Sequence, residues 1–212
     1  FGRNAYADGK VLLLNNGLDL SRFVFRHQCR NGKRLELGIG NALLIGHVGR
    51  FEKQKNHSFL LQVFSCIRKK KKDAYLLCIG DGSLLEDMKT LANELGIEDG
   101  VIFAGLRQDV SECMMAMDVL LFPSLYEGMP NVVIEAEATG LPCLVADTVT
   151  PACAITPYVA FESLSSSYEV WAQKVLSLAE SNIDRKSCVD FLREKGYDLD
   201  SVVRTFEKAV FA

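Results

Sequence analysis

Short, uninterrupted apolar runs alternate with longer stretches of helical spacing along most of the chain. Residues 41–49 (NALLIGHVG) form the first strong run, followed by Tyr75–Ile79, Val101–Ala104, a run that ends at Pro123, and Cys143–Ala146. Apolar at successive positions, these runs predict strands of a parallel sheet covered on both faces. Val159–Phe161 predicts a further strand at the sheet edge. A weaker strand signal at Val11–Leu14 precedes Asn15-Asn16-Gly17, where Asn16-Gly17 suits a hairpin turn although no matching second strand follows. Helical spacing covers His57–Ile67, with Phe59, Leu60, Val63, Phe64 and Ile67 on one side. The next helix is opened by Ser83, with Glu86 completing a capping box, and is ended by Gly96. Two more run from about Asp109 to Met117 and from Pro130 to Gly140, and helical stretches at 165–181, 184–195 and 198–210 complete the chain. Strand and helix alternating through short loops predicts an α/β fold: an open, mainly parallel sheet of about six strands with helices on both faces.

Composition narrows the classes. The chain has 212 residues, 49% hydrophobic and 24% charged, with a formal net charge of -3. So near-neutral a chain is no nonspecific nucleic-acid binder, whose affinity rests on many Lys and Arg contacts to phosphates, and any anion site must be local. The basic cluster Arg68–Lys72 falls at a predicted helix C-terminus, where the helix dipole favours cations. Seven cysteines, odd in number and without a CxxC pair, lie mostly in apolar runs, which predicts buried, reduced thiols rather than disulfides or a metal site. No apolar run approaches the roughly eighteen residues needed to span a bilayer, and nothing resembles a signal peptide, so a soluble, cytoplasmic protein is expected. Because the sequence starts at Phe1 in linker-like residues, an excised domain is expected, with 1–40 as linker and lead-in and 41–212 as the folded domain.

The most informative stretch is Asp118–Pro142, DVLLFPSLYEGMPNVVIEAEATGLP. A strand leads through a loop carrying Glu127 and Gly128 into a helix with Pro130 just inside its start and Gly140 past its end. Bare amides of Met129, Asn131 and Val132 at that helix start can face an anion. Glu127 lies before the helix and Glu135 about one and a half turns inside it, a spacing suited to gripping two ends of a polyhydroxy ligand. Glu135 and Glu137 also fit the solvent face of an ordinary helix, but the helix is otherwise nearly all apolar, and a carboxylate buried on it needs a partner. In open α/β sheets ligands sit at the carboxyl ends of the strands. The loops there carry Gly49-Arg50 with Lys55, Gly80-Asp81-Gly82 and Gly105-Leu106-Arg107. Arg50 and Lys55 can converge on a diphosphate, though each alone also fits a surface cation. Gly80–Gly82 reads as a structural turn, Asp198-Leu199-Asp200 as a helix cap rather than a metal-binding DxD, and His47 as a core histidine rather than a general base.

Taken in order, GHVGRFEKQKN, IGDGSLLE, VIFAGLRQDV and FPSLYEGMPNVVIEAEATGLP resemble the successive motifs of retaining glycosyltransferases of the family 4 type, with Glu127 and Glu135 as the E-x7-E element. NNGLDLSRF resembles the family's interdomain linker. Similarity is greatest to bacterial enzymes of exopolysaccharide or capsule assembly. The resemblance implies a Rossmann-like domain, one half of a GT-B fold, whose N-terminal, acceptor-binding half is absent, so that the isolated domain is expected to be inactive. It implies a nucleotide-sugar donor such as a UDP- or GDP-sugar, a glycan or lipid-linked acceptor, and neither metal nor other cofactor; a full-length protein peripheral to the inner membrane face is compatible with it. Arg50 and Lys55, in the loop opened by Gly49, would bind the diphosphate. Glu127 with Gly128, Met129, Pro130, Asn131 and Val132 would hold the sugar and the distal phosphate. Glu135 would take the ribose hydroxyls, and Leu106 and Arg107 would edge the base. The same pocket would suit a non-catalytic nucleotide-sugar-binding module, or a sugar-nucleotide epimerase of GT-B-like fold, whose acid/base residues the sequence does not place.

Overall fold

The structure, a computed structural model, describes residues 11, 12 and 14–211. Its strands are β1 (Leu44–Val48), β2 (Tyr75–Ile79), β3 (Val101–Phe103), β4 (Val119–Phe122), β5 (Cys143–Ala146) and β6 (Val159–Glu162). They form one six-stranded sheet in the order β3-β2-β1-β4-β5-β6. Every pairing is parallel, as the unbroken apolar runs require. The helices are α1 (His27–Glu36), α2 (His57–Lys70), α3 (Leu85–Glu94), α4 (Val110–Ala116), α5 (Asn131–Ala138), α6 (Tyr168–Ala179), α7 (Cys188–Glu194) and α8 (Leu199–Phe211). α2 packs with α3 and α6, while α4 packs with α1 and α5, and α5 with α7. Leu44, Ile45, Leu120, Leu121, Leu144 and Val145, on β1, β4 and β5, are wholly buried between these layers. All seven cysteines are free, six of them buried.

The chain runs outward from β1 through β2 to β3, returns by α4 to β4 on the other side of β1, and runs outward again to β6. This reversal between β1 and β4 marks, at their carboxyl ends, the place where open α/β sheets receive ligands.

Several local expectations are corrected. α1 was not foreseen within the lead-in, and its buried residues are Lys33 and Arg34, not an apolar stripe. The proposed strand at Val11–Leu14 includes Leu13, which lies outside the described residues; residues 11, 12 and 14 are in no strand. Asn16-Gly17 makes no hairpin: Leu18 instead forms an isolated parallel bridge with Asp198. Ser83 does not cap α3, which has Leu84 at its N-cap and no side-chain cap bond. The Ser83 hydroxyl donates to Glu52 at 3.3 Å, so the capping box is absent. Pro130 occupies the N-cap of α5 rather than its first turn. Gly140 does stop that helix, with φ +65°. Asp198 caps α8 as expected, accepting from the Ser201 amide at 3.2 Å.

Candidate donor site at the strand reversal

The loops after β1, β2 and β3 are sewn to one another by their backbones. Gly49 N–H donates to Ile79 O, Phe51 N–H to Asp81 O and Gly80 N–H to Gly105 O, each at 2.9 Å. The approach is so close that a Cβ on Gly80 would lie 2.1 Å from Gly49 O, and one on Gly82 2.6 Å from Phe51 O. Glycine is therefore required at both positions by space.

A second set of bonds ties this shelf to the loop after β4. Residues Lys53–Lys55 make one 3-10 turn, and Asn56 follows in the left-handed region at φ 56°, which Asn tolerates better than most residues. The Asn56 amide donates to Pro123 O at 3.1 Å, Leu125 N–H to Gln54 O at 2.8 Å, and the Gln54 side chain to Tyr126 O at 2.9 Å. From the far side, Thr148 donates to Ser124 O, and Glu127 bridges Val149. The effect is to bring Lys55 and Glu127 together. Lys55 Nζ donates to Glu127 Oε1 at 2.6 Å, with both side chains mostly buried, at 17% and 11% exposure. Its ammonium also lies 4.8 Å from the centre of the Phe122 ring. The sequence placed both residues at the site but did not foresee that they pair.

Around this pair the other residues are poised rather than engaged. Arg50 is exposed, and its side chain has no hydrogen bond or ion pair among the described residues. The amides of Met129, Asn131 and Val132 likewise donate to no protein acceptor at the start of α5. Gly128 and Met129 are exposed beside them, and Pro130 is buried with its carbonyl receiving Val133 N–H at 3.1 Å. Glu135 is half-buried, and its carboxylate has no hydrogen bond among the described residues; burial raises its pKa, and the Arg22 guanidinium opposes that rise. Asn16, from the lead-in, donates to Asn131 Oδ1 at 2.7 Å, a contact with no signal in the sequence beyond turn-forming residues.

Two predicted features behave differently. Arg107 is engaged within the protein: Nε and Nη2 bond to Asp109 at 2.7 and 2.6 Å, and Nη2 to Glu36 at 2.9 Å. Lys33 joins the same cluster, and the Arg107 guanidinium, followed by Lys33, holds the Asp109 carboxyl well below its usual range. Leu106, with 79% exposure, is the side chain its loop leaves open. Glu137 is buried among donors of its own: Ile155 N–H at 2.9 Å, Thr156 N–H at 2.6 Å and the Thr156 hydroxyl at 2.7 Å. Neither solvent face nor ligand group, it fastens residues 155–156 to α5. Among the described residues no group of three or more His, Cys, Asp or Glu converges as a metal site, and no helix is long and apolar enough to cross a membrane.

The family model described as "Glycosyl transferases group 1" matches residues 33–195. The putative glycosyltransferase EpsF of Bacillus subtilis (strain 168) is 34% identical over 201 residues, 93% of this chain and 52% of that protein. An Escherichia coli UDP-Gal:alpha-D-GlcNAc-diphosphoundecaprenol alpha-1,3-galactosyltransferase is 32% identical over 142 residues, 65% of this chain and 37% of that protein. The chain thus spans about half the length, or less, of these relatives. In fold, it matches Anabaena HepE crystallised with UDP-glucose at a TM-score of 0.81, with 18% identity over 94% of this chain and 57% of the other. WaaG, a glycosyltransferase involved in lipopolysaccharide biosynthesis, matches at 0.78 with 22% identity, over 94% of this chain and 56% of the other.

Proposed function

Because the chain belongs to the glycosyl transferases group 1 family, we propose that it is the donor-binding half of a retaining glycosyltransferase, taking a nucleotide-sugar and serving surface-polysaccharide assembly. The observation that carries this reading is the convergence, at the strand reversal, of an unpaired Arg50, the Lys55–Glu127 pair and the undonated amides of α5. In this reading a diphosphate lies between them. Its oxygens accept from the Arg50 guanidinium, from Lys55 and from the amides, while ribose hydroxyls donate to Glu135. As Lys55 turns to phosphate, Glu127 is released to accept from hydroxyls of the sugar. Charge developing on the departing nucleoside diphosphate then meets two cations and a helix N-terminus, a field that lowers transfer barriers. The acceptor, glycan or lipid-linked, is assigned to the other half of the longer protein, and no metal takes part in this scheme.

Calorimetric titration with UDP, GDP and their hexose conjugates tests the binding step, and the parent protein incubated with donor and candidate acceptors tests transfer. Binding with transfer supports the proposal. Binding without turnover by the parent favours a non-catalytic nucleotide-sugar-binding module, and sugar interconversion without acceptor favours an epimerase.

A further inference from the structure

Directly beneath Lys55, on β1, lies His47, whose side chain is wholly inaccessible. Its Nδ1 is 2.9 Å from Leu121 O, and since a carbonyl only accepts, Nδ1 carries the proton and Nε2 the lone pair. That Nε2 is buried without a partner. The ring is held rigidly, stacked on Phe122 at 5.8 Å and edge-on to His57 at 4.6 Å. Burial, aided by the nearby Lys55 charge, pushes His47 down to about 4, so its lone pair is free at neutral pH. Between His47 and Lys55 stands Gly49, and the missing side chain is what lets the two approach: a Cβ there would lie 3.2 Å from His47 Nε2 and 3.2 Å from Lys55 Cε. Lys55 and His47 also share Phe122 as a packing surface.

We propose that His47 is a positioning residue for Lys55, its Nε2 lone pair being the second acceptor for the Lys55 ammonium once a diphosphate has drawn that side chain off Glu127. This rests on the role given to Lys55 above and adds to it a partner on the protein side. An ammonium has three donors; with one on Nε2 the others point at phosphate, and Glu127 is left to the sugar. A buried, unpartnered imidazole nitrogen facing a lysine stem across a glycine is otherwise an uncompensated desolvation cost.

Two measurements test this. In protein labelled at histidine nitrogen, the His47 Nε2 resonance of the ligand-free chain should have the shift of an unpaired, unprotonated nitrogen. It should move upfield in Glu127→Ala, where Lys55 loses its carboxylate, and return in Glu127→Ala combined with Lys55→Met. A resonance that stays put in Glu127→Ala overturns the proposal without any ligand being involved. In the second, His47→Phe, which keeps the stacked ring, should lower UDP or GDP affinity about fivefold, the worth of one net hydrogen bond. The same substitution should cost nothing in a Lys55→Met background. Equal losses in both backgrounds would show a merely structural role and overturn the proposal. Failure of the unsubstituted chain to bind either nucleotide would count against the donor site itself, and the nitrogen shift would still decide on His47.

Discussion

Arg50 is the least constrained member of the site, exposed and without a protein partner. Replacing it therefore removes only what it does for a ligand: Arg50→Ala should leave thermal stability unchanged and lower nucleoside-diphosphate affinity roughly ten- to a hundredfold, the loss of a charge-assisted phosphate contact, read by calorimetry. The carboxylates should separate by ligand. Glu135→Gln should weaken UDP or GDP and their sugar conjugates alike. Glu127→Gln, which also frees Lys55, should spare or tighten the bare nucleotide while weakening the conjugate. Equal weakening of the bare nucleotide by both variants would contradict this division. Glu137 shows itself in stability instead. Burial, opposed by the Thr156 and Ile155 donors, pushes its carboxyl up to about 7 from 4.5. The folded chain thus holds that proton more tightly than the unfolded chain, so the contribution is fully present below the unfolded pKa and is lost as pH rises through about 7. Between about pH 5 and about pH 8 the loss is on the order of 2 to 3 kcal/mol. Urea unfolding should show this slope, and Glu137→Gln should flatten it.

At the scale of elements, what was legible in the sequence is what apolar patterning governs. β2 and β5 fall on the expected residues, and the loop into α5 could be picked out because a strand end, two glutamates, Pro130 and Gly140 are all local signals. α1 was illegible because it is fastened by charge. Arg30 and Arg34 both donate to the carbonyl of Ala116, at 2.8 and 2.7 Å, closing the C-terminus of α4, and both reach Asp118. Arg185 arrives from the other side to take Met114 O and Met117 O. Such bonds join residues some eighty positions apart and leave no periodicity. The bond from Arg107 to Glu36 left no signal for the same reason, since Glu36 sits on the unforeseen helix. Arg34→Ala should cost about 2 to 4 kcal/mol in urea unfolding, because it removes the donor to the Gly40 and Ala42 carbonyls and one of the two guanidinium groups beside Asp118. Arg34→Lys should recover little, since one ammonium cannot reach the separate acceptors that the guanidinium serves.

Across the whole molecule, the alternation of strands and helices was enough to predict a parallel sheet, whereas the pairing of Lys55 with Glu127 depends on β1 and β4 being neighbours, which alternation alone does not specify. That adjacency places two unlike walls around one ligand. On the β1–β2–β3 side the amides of Gly49, Phe51 and Gly80 already donate to neighbouring loops; on the β4–α5 side those of Met129, Asn131 and Val132 do not. Hydrogen exchange should register the contrast. The first three amides should be slow in the free chain and unchanged by nucleoside diphosphate, while the latter three should be fast and slow markedly when it binds. An equal response on both walls would mean that the sewn loops rearrange. With the backbone of one wall already ordered, binding forfeits backbone freedom mainly along the loop into α5, and the motion of that loop reports whether the site is filled.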